Sequence, residues 1–147
     1  MRYEIVLAVP FAVLMLAGAA QAADHQIQML DKGEKGAMVF QPGFVQATPG
    51  DTVTFVPTDK GHLAQSIWGM VPEGAKTFKG KSSEQITVKL DKEGVYGVKC
   101  AAHYGMGMVA LIVVGRPVNL AHAATVKQSG KAKKVFEVLL AQVQVGN

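Results

Sequence analysis

The sequence predicts an all-β fold, a Greek-key β-sandwich, with a two-helix extension at its carboxyl end. Two observations indicate the sandwich. Short strand-like runs with turn residues between them recur along residues 26–115, and no amphipathic helix interrupts them. A third observation indicates the extension, because the residues beyond Gly115 are rich in helix formers. A chain of 147 residues is long enough for one domain with a substantial core.

Residues 1–22 have the pattern of a secretory signal peptide. Arg2 precedes an apolar run, which ends at the small-residue sequence Ala20-Gln21-Ala22. We expect cleavage before Ala23, and therefore an exported chain. The alternative is an uncleaved membrane anchor, for which the run is shorter than the roughly 20 residues that span a bilayer. After cleavage we expect no membrane partner and a monomer.

Residues 23–115 hold the predicted sandwich. The predicted strands are residues 25–29, 37–40, 43–45, 52–56, 86–90, 95–100 and 108–114. Within the sixth strand, side-chain alternation places Cys100 on the same face as Tyr96 and Val98, which we expect to be the core face. The last strand is apolar on both faces, as is typical of a central strand.

The remaining segments are a loop and the extension. Residues 61–81 are rich in Gly, which predicts a long crossing loop, and we expect its Trp68 to cover the edge of the core. Residues 116–147 form the predicted helical extension, packed on the same domain. Asn119 is expected to cap its first helix, and His122 to be an exposed helical residue.

The candidate chemistry lies in the loop after the sixth strand. Cys100 is the only cysteine, His103 follows three residues later, and Met106 and Met108 follow six and eight residues after the cysteine. Cysteines of exported proteins normally occur in pairs, so an unpaired one favours a metal-bound thiolate. The alternative is an inert buried cysteine.

A thiolate, two imidazoles and a weak axial thioether form the ligand set of an electron-transfer copper site. The loop supplies three of these four groups. The second imidazole must come from elsewhere, and His62, just after the strand 52–56, is the best placed. The sequence shows no catalytic triad and no paired carboxylates, so we expect an electron carrier and not an enzyme.

The formal net charge of +4 is modest. It argues against nucleic acid as the main partner and favours an acidic protein surface, because long-range attraction accelerates the encounter of oppositely charged patches.

Three features together resemble one family. They are the sequence G-D-T-V-T-F-V-P-T-D-K-G-H at residues 50–62, the sequence G-V-Y-G-V-K-C-A-A-H-Y-G-M-G-M-V at residues 94–109, and the two-helix tail. All three are similar to the pseudoazurins, which are type I blue-copper cupredoxins. The similarity extends over nearly the whole chain after residue 22 and implies a cupredoxin-like sandwich.

The resemblance also implies the ligands. His62, Cys100 and His103 would be the equatorial ligands of one copper ion that cycles between Cu(II) and Cu(I). The spacing of the family selects Met108, and not Met106, as the axial ligand.

The resemblance further implies a partner surface. Met38 and Met106 would form an apolar patch, and the basic ring around it would consist of Lys32, Lys60, Lys79 and Lys99. It implies a periplasmic shuttle in denitrification, with copper nitrite reductase or c-type cytochromes as acidic redox partners. An alternative function is periplasmic copper storage or delivery, and another is a metal-free binding module.

The chain departs from the family pattern next to its ligands. Leu63 and Ala101 stand where the family usually has Asn and Thr, so a side-chain hydrogen bond between the two ligand loops is lost. Ala102 stands where a proline is common, and its N–H could donate a hydrogen bond to the thiolate.

Overall fold

The computed structural model describes residue 18 and residues 20–144. Most of the predicted signal segment therefore lies outside the described residues, as do residues 145–147 of the extension. Within the part that is described, no helix combines the length and the apolar character needed to cross a membrane.

Within residues 20–144, eight strands form two four-stranded sheets. The strands are β1 (Asp24–Gly33), β2 (Gly36–Gln41), β3 (Phe44–Ala47), β4 (Asp51–Val56), β5 (Gln65–Ser66), β6 (Ile86–Leu90), β7 (Gly94–Lys99) and β8 (Val109–Val114). The strand orders are β2-β1-β4-β6 and β3-β8-β7-β5. The chain crosses between the sheets, because β3 belongs to the second sheet while β2 and β4 belong to the first. As a result β1 pairs in parallel with β4, and β3 in parallel with β8. The predicted sandwich is confirmed.

Strand β8 is buried along its whole length because both of its faces are covered. Ala110, Ile112 and Val114 belong to the core between the sheets. The other residues of β8 pack on the opposite side against the helices α1 (Leu120–Thr125) and α2 (Gly130–Ala141), and Phe136 of α2 belongs to the same cluster. Two apolar layers therefore meet at one strand, which explains its uninterrupted hydrophobic sequence.

Two expectations about the loop and the extension are wrong. Trp68 does not cover the core edge, because 89% of its surface is exposed, and its neighbours Ile67 and Met70 are buried instead. Asn119 stands at the start of α1, but its side chain makes no cap. Its Oδ1 accepts a hydrogen bond from the Val95 N–H at 2.6 Å, and its Nδ2 donates to the Val95 carbonyl at 3.0 Å. Asn119 therefore ties the extension to β7.

Asp51 is a buried carboxylate at the start of β4. It accepts hydrogen bonds from His25 Nε2 and from the backbone N–H groups of Thr48 and Ala23, each at 2.9 Å. The hydrogen bond from His25, followed by those from Thr48 and Ala23, lowers the pKa of Asp51 from 3.8 to about 2.

We expect the variant Asp51→Asn to have a lower Tm than the parent chain at pH 7, because the amide offers one acceptor oxygen in place of two and carries no charge. A depressed pKa stabilises the fold above the unfolded-state pKa, and this contribution is lost as the pH falls through about 2. The two Tm values should therefore converge between pH 4 and pH 2. Circular dichroism melts measure this, with the exposed Asp91→Asn as the control. A gap that stays constant down to pH 2 would contradict the assignment.

Candidate metal centre

Cys100 follows directly after β7, and its side chain is wholly buried. It belongs to the same core cluster as Tyr96 and Val98, as the alternation of the strand predicts. Its N–H donates to the Met108 carbonyl at 3.0 Å, one step beyond the paired residues Lys99 and Val109. The thiol is therefore held at the end of a strand ladder and not on a free loop.

The loop between Cys100 and Met108 closes on itself. The His103 N–H donates to the Cys100 carbonyl at 3.1 Å, and the Met108 N–H donates to the His103 carbonyl at 3.2 Å. A 3₁₀ turn at Tyr104–Met106 follows, and Gly107, at φ 87°, adopts the left-handed conformation that glycine tolerates best. These bonds fix the backbone on both sides of His103.

His62 lies after β4 and is held from two directions. Its Nε2–H donates to Asp31 Oδ1 of β1 at 2.7 Å. Its carbonyl accepts from the Ser83 N–H at 2.8 Å, and the preceding Gly61 N–H donates to Ser83 Oγ at 2.9 Å. The ring is completely buried, and its Nδ1 remains available as a ligand atom.

The structure brings His62, Cys100 and His103 together. The Nδ1 atoms of the two histidines are 3.2 Å apart, the Cys100 Sγ is 3.6 Å from His103 Nδ1, and all three ligand atoms lie within 4.8 Å of one another. In four-coordinate sites metal–nitrogen bonds of about 2.0 Å and metal–sulfur bonds of about 2.3 Å imply ligand separations of about 3.3 and 3.6 Å. The donor atoms therefore fit one metal ion, and the soft sulfur with two imidazoles suits copper.

The two candidate methionines lie in different environments. Met108 is wholly buried in the core cluster that contains Cys100, and its backbone binds both Cys100 and His103. Met106, in contrast, is 47% exposed. The role of Met108 as the fourth ligand stays a prediction.

The predicted partner residues lie next to the segments that carry the ligands. Lys60 precedes His62 by two residues, Lys99 precedes Cys100, and Lys32 follows Asp31. Gln65 pairs with Lys99 on one side and bridges to Lys79 on the other. Met38 is half-buried and packs against the inner core.

The sequence alone does not predict that Asp31 and Ser83 hold His62. Neither residue is near His62 in the sequence, and only the pairing of β1 with β4 brings Asp31 close. Leu63 is half-buried against the core and Ala101 is exposed, so no side-chain hydrogen bond joins the two ligand loops at these positions. Among the described residues, His103 Nδ1 is the group within hydrogen-bonding range of Cys100 Sγ, and the expected donation from the Ala102 N–H is absent.

Comparison with known proteins agrees with this geometry. A profile of copper binding proteins, the plastocyanin/azurin family, matches residues 27–115. The pseudoazurin of Paracoccus pantotrophus is 48% identical over 144 residues, which cover 97% of this chain and 99% of the relative. The crystal structure of pseudoazurin from Methylobacterium extorquens AM1 superposes with a TM-score of 0.80 at 48% identity, covering 82% of this chain and 99% of that one. The native pseudoazurin of Hyphomicrobium denitrificans gives a TM-score of 0.79 at 48% identity, with coverages of 82% and 98%.

The two methionines can be told apart by matched substitutions. We expect Met108→Leu to raise the reduction potential of the copper-loaded chain by roughly 60 mV, or about tenfold in the reduction equilibrium, because a weak axial ligand tunes the potential. Met106→Leu should leave the potential and the visible spectrum unchanged. A redox titration followed by absorbance measures both variants. The opposite pattern would assign the ligand to Met106.

Proposed function

The chain belongs to the pseudoazurins, electron-transfer copper proteins of the plastocyanin/azurin family, and we propose that it works in the periplasm as a shuttle that passes single electrons to a reductase of denitrification. The single observation that carries the redox role is the convergence of one buried thiol and two imidazoles within 4.8 Å.

Four side chains would hold the copper: His62, Cys100 and His103, with Met108 as the fourth ligand. When bound, copper supplies the redox chemistry, since it accepts and returns one electron as Cu(II) and Cu(I). The residues themselves limit rearrangement. Cys100 is fixed by the strand ladder and His103 by the hydrogen bonds of the loop, so these two side chains would move little when a bound metal changes charge.

His103 is the proposed route for the electron. Its ring belongs to the ligand cluster and is partly exposed, whereas the ring of His62 is completely buried. Around it we propose a docking surface formed by Met38 and Met106 and by a basic ring. The ring consists of Lys32, Lys60, Lys79 and Lys99. An acidic acceptor such as copper nitrite reductase, or a c-type cytochrome as partner, would complement this charge.

The periplasmic proposal rests on the signal-like pattern of residues 1–22, from which we expect export and cleavage before Ala23. The Ala23 nitrogen lies 2.9 Å from Asp51 Oδ1, so a new amino terminus at this position would find an anionic partner. We expect the exported chain to begin with Ala23 when its amino-terminal sequence is determined. A chain that keeps residues 1–22 would refute the cleavage.

The redox role is tested by adding Cu(II) to the purified chain and titrating it reversibly. We expect an intense visible absorption that disappears on reduction and returns on oxidation without loss of metal. Cys100→Ser should abolish it, because the thiolate is its source. Loss of copper during cycling would favour storage or delivery, and a spectrum unaffected by the substitution would leave Cys100 without a role.

The docking surface is tested by reversing charge near the ligands. We expect Lys60→Glu/Lys99→Glu to slow association with a copper nitrite reductase about tenfold at low ionic strength, because attraction between opposite charges is lost. The dependence of this rate on salt should also flatten, while the visible spectrum stays unchanged. Stopped-flow kinetics over a salt series measure the effect.

The matched control is Lys89→Glu/Lys92→Glu, which changes the net charge equally. Lys89 pairs with Thr52 at the end of the sandwich that carries Asp51, away from the ligands, and Lys92 is exposed. The control should associate nearly as fast as the parent chain. Equal rates for both double variants would remove the docking surface.

A further inference from the structure

We propose that Asp31 positions His62 for copper and lowers the reduction potential of the site. This inference rests on the proposed redox function. The Nε2–H of His62 donates to Asp31 Oδ1 at 2.7 Å. Because a carboxylate only accepts hydrogen bonds, this contact keeps the proton on Nε2 and leaves the lone pair on Nδ1. Nδ1 is the atom that faces His103 Nδ1 at 3.2 Å.

Asp31 is itself held in place. Its N–H donates to Asp59 Oδ2 at 2.8 Å, and the Asp59 N–H donates to the Met29 carbonyl at 3.1 Å. Strand β1 and the segment that leads to His62 are thus joined by three hydrogen bonds, of which the bond between Asp31 and His62 reaches the metal ligand. A ligand held by such a partner keeps its ring orientation when the metal changes charge.

The hydrogen bond from His62 to Asp31 takes the place of a side-chain hydrogen bond between the two ligand loops, which this chain cannot make. Leu63 and Ala101, next to the two ligands His62 and Cys100, have no side-chain donor or acceptor. His62 is therefore held at its ring by Asp31 of β1 and at its backbone by Ser83, and not by a side chain next to Cys100. Among these contacts, only the one from Asp31 reaches the ring itself.

The negative charge of Asp31 affects the site in addition to the hydrogen bond that orients the ring of His62. The imidazole of His62 is 0% exposed, whereas the Asp31 side chain is 59% exposed, so water solvates the carboxylate while it faces a buried ring. A carboxylate partner makes the imidazole a more basic ligand, and a nearby anion favours the oxidised site, which carries one more positive charge. In the redox step one electron arrives and no proton leaves Nε2. Asp31 therefore lowers the potential.

Two substitutions separate the charge from the geometry. Asp31→Asn keeps an oxygen that can accept from Nε2–H and removes the charge. We expect an unchanged visible spectrum and a three- to tenfold shift of the equilibrium towards Cu(I), which is about 30 to 60 mV for one electron. Asp31→Ala removes the acceptor as well. We expect it to lose about 10- to 100-fold in copper affinity.

The control variant is Asp24→Asn, which changes the net charge equally at the opposite end of β1. Asp24 accepts hydrogen bonds from the hydroxyls of Thr52 and Thr54, far along the strand from Asp31. Its potential should stay within about twofold of the parent equilibrium, or roughly 18 mV. If Asp31→Asn shifts the potential no more than Asp24→Asn does, the electrostatic part of the proposal is wrong.

The geometric part has a readout that needs no copper. In the metal-free chain, ¹⁵N NMR of the His62 ring should show the Nε2–H tautomer, and Asp31→Asn should keep it. Asp31→Ala should give a mixture of tautomers. An unchanged tautomer and unchanged copper affinity in Asp31→Ala would overturn the positioning role. Failure of the redox function itself would look different, because the parent chain would then give no intense visible absorption with Cu(II).

Discussion

The antiparallel pairing of β7 with β8 is the constraint on which the site depends. Its register places Lys99 opposite Val109, and the next hydrogen bond joins the Cys100 N–H to the Met108 carbonyl. The strands therefore fix both ends of the ligand loop, and internal hydrogen bonds fix its middle. A slip of one residue would turn Cys100 out of the core, because side chains alternate between the faces of a strand.

The carboxyl-terminal helices support this pairing from the outer side. Phe136 and Leu139 of α2 pack on the second sheet, and Asn119 binds both backbone groups of Val95 in β7. The extension also reaches the ligand loop, because a side-chain carbon added at Gly107 would meet Val135 at 3.1 Å. Helices that bear no ligand thus limit the movement of the loop that carries three candidate ligands.

Local sequence patterns predicted the sandwich because strand alternation and turn residues act over a few positions. They also predicted the direction of Cys100, which follows from the period of two in a strand. They failed for Trp68, since a large apolar residue in a loop has no periodicity to reveal its face, and for Asn119, whose partner lies 24 residues away. Asp31 was missed for the same reason, because its contact with His62 exists only when β1 lies beside β4.

The two histidines illustrate how one ligand type can serve two purposes. His62 is buried, and its outer nitrogen is occupied by Asp31, so water and partners cannot reach its ring. His103 is partly exposed, and the ring of the adjacent Tyr104 lies 5.3 Å from the Lys99 ammonium. The buried ligand, His62, would set the geometry and the charge around the metal. The partly exposed ligand, His103, would offer the electron a short path to the surface. The geometry around the metal and the access to it therefore depend on different residues, His62 with its partner Asp31 in the first case and His103 in the second.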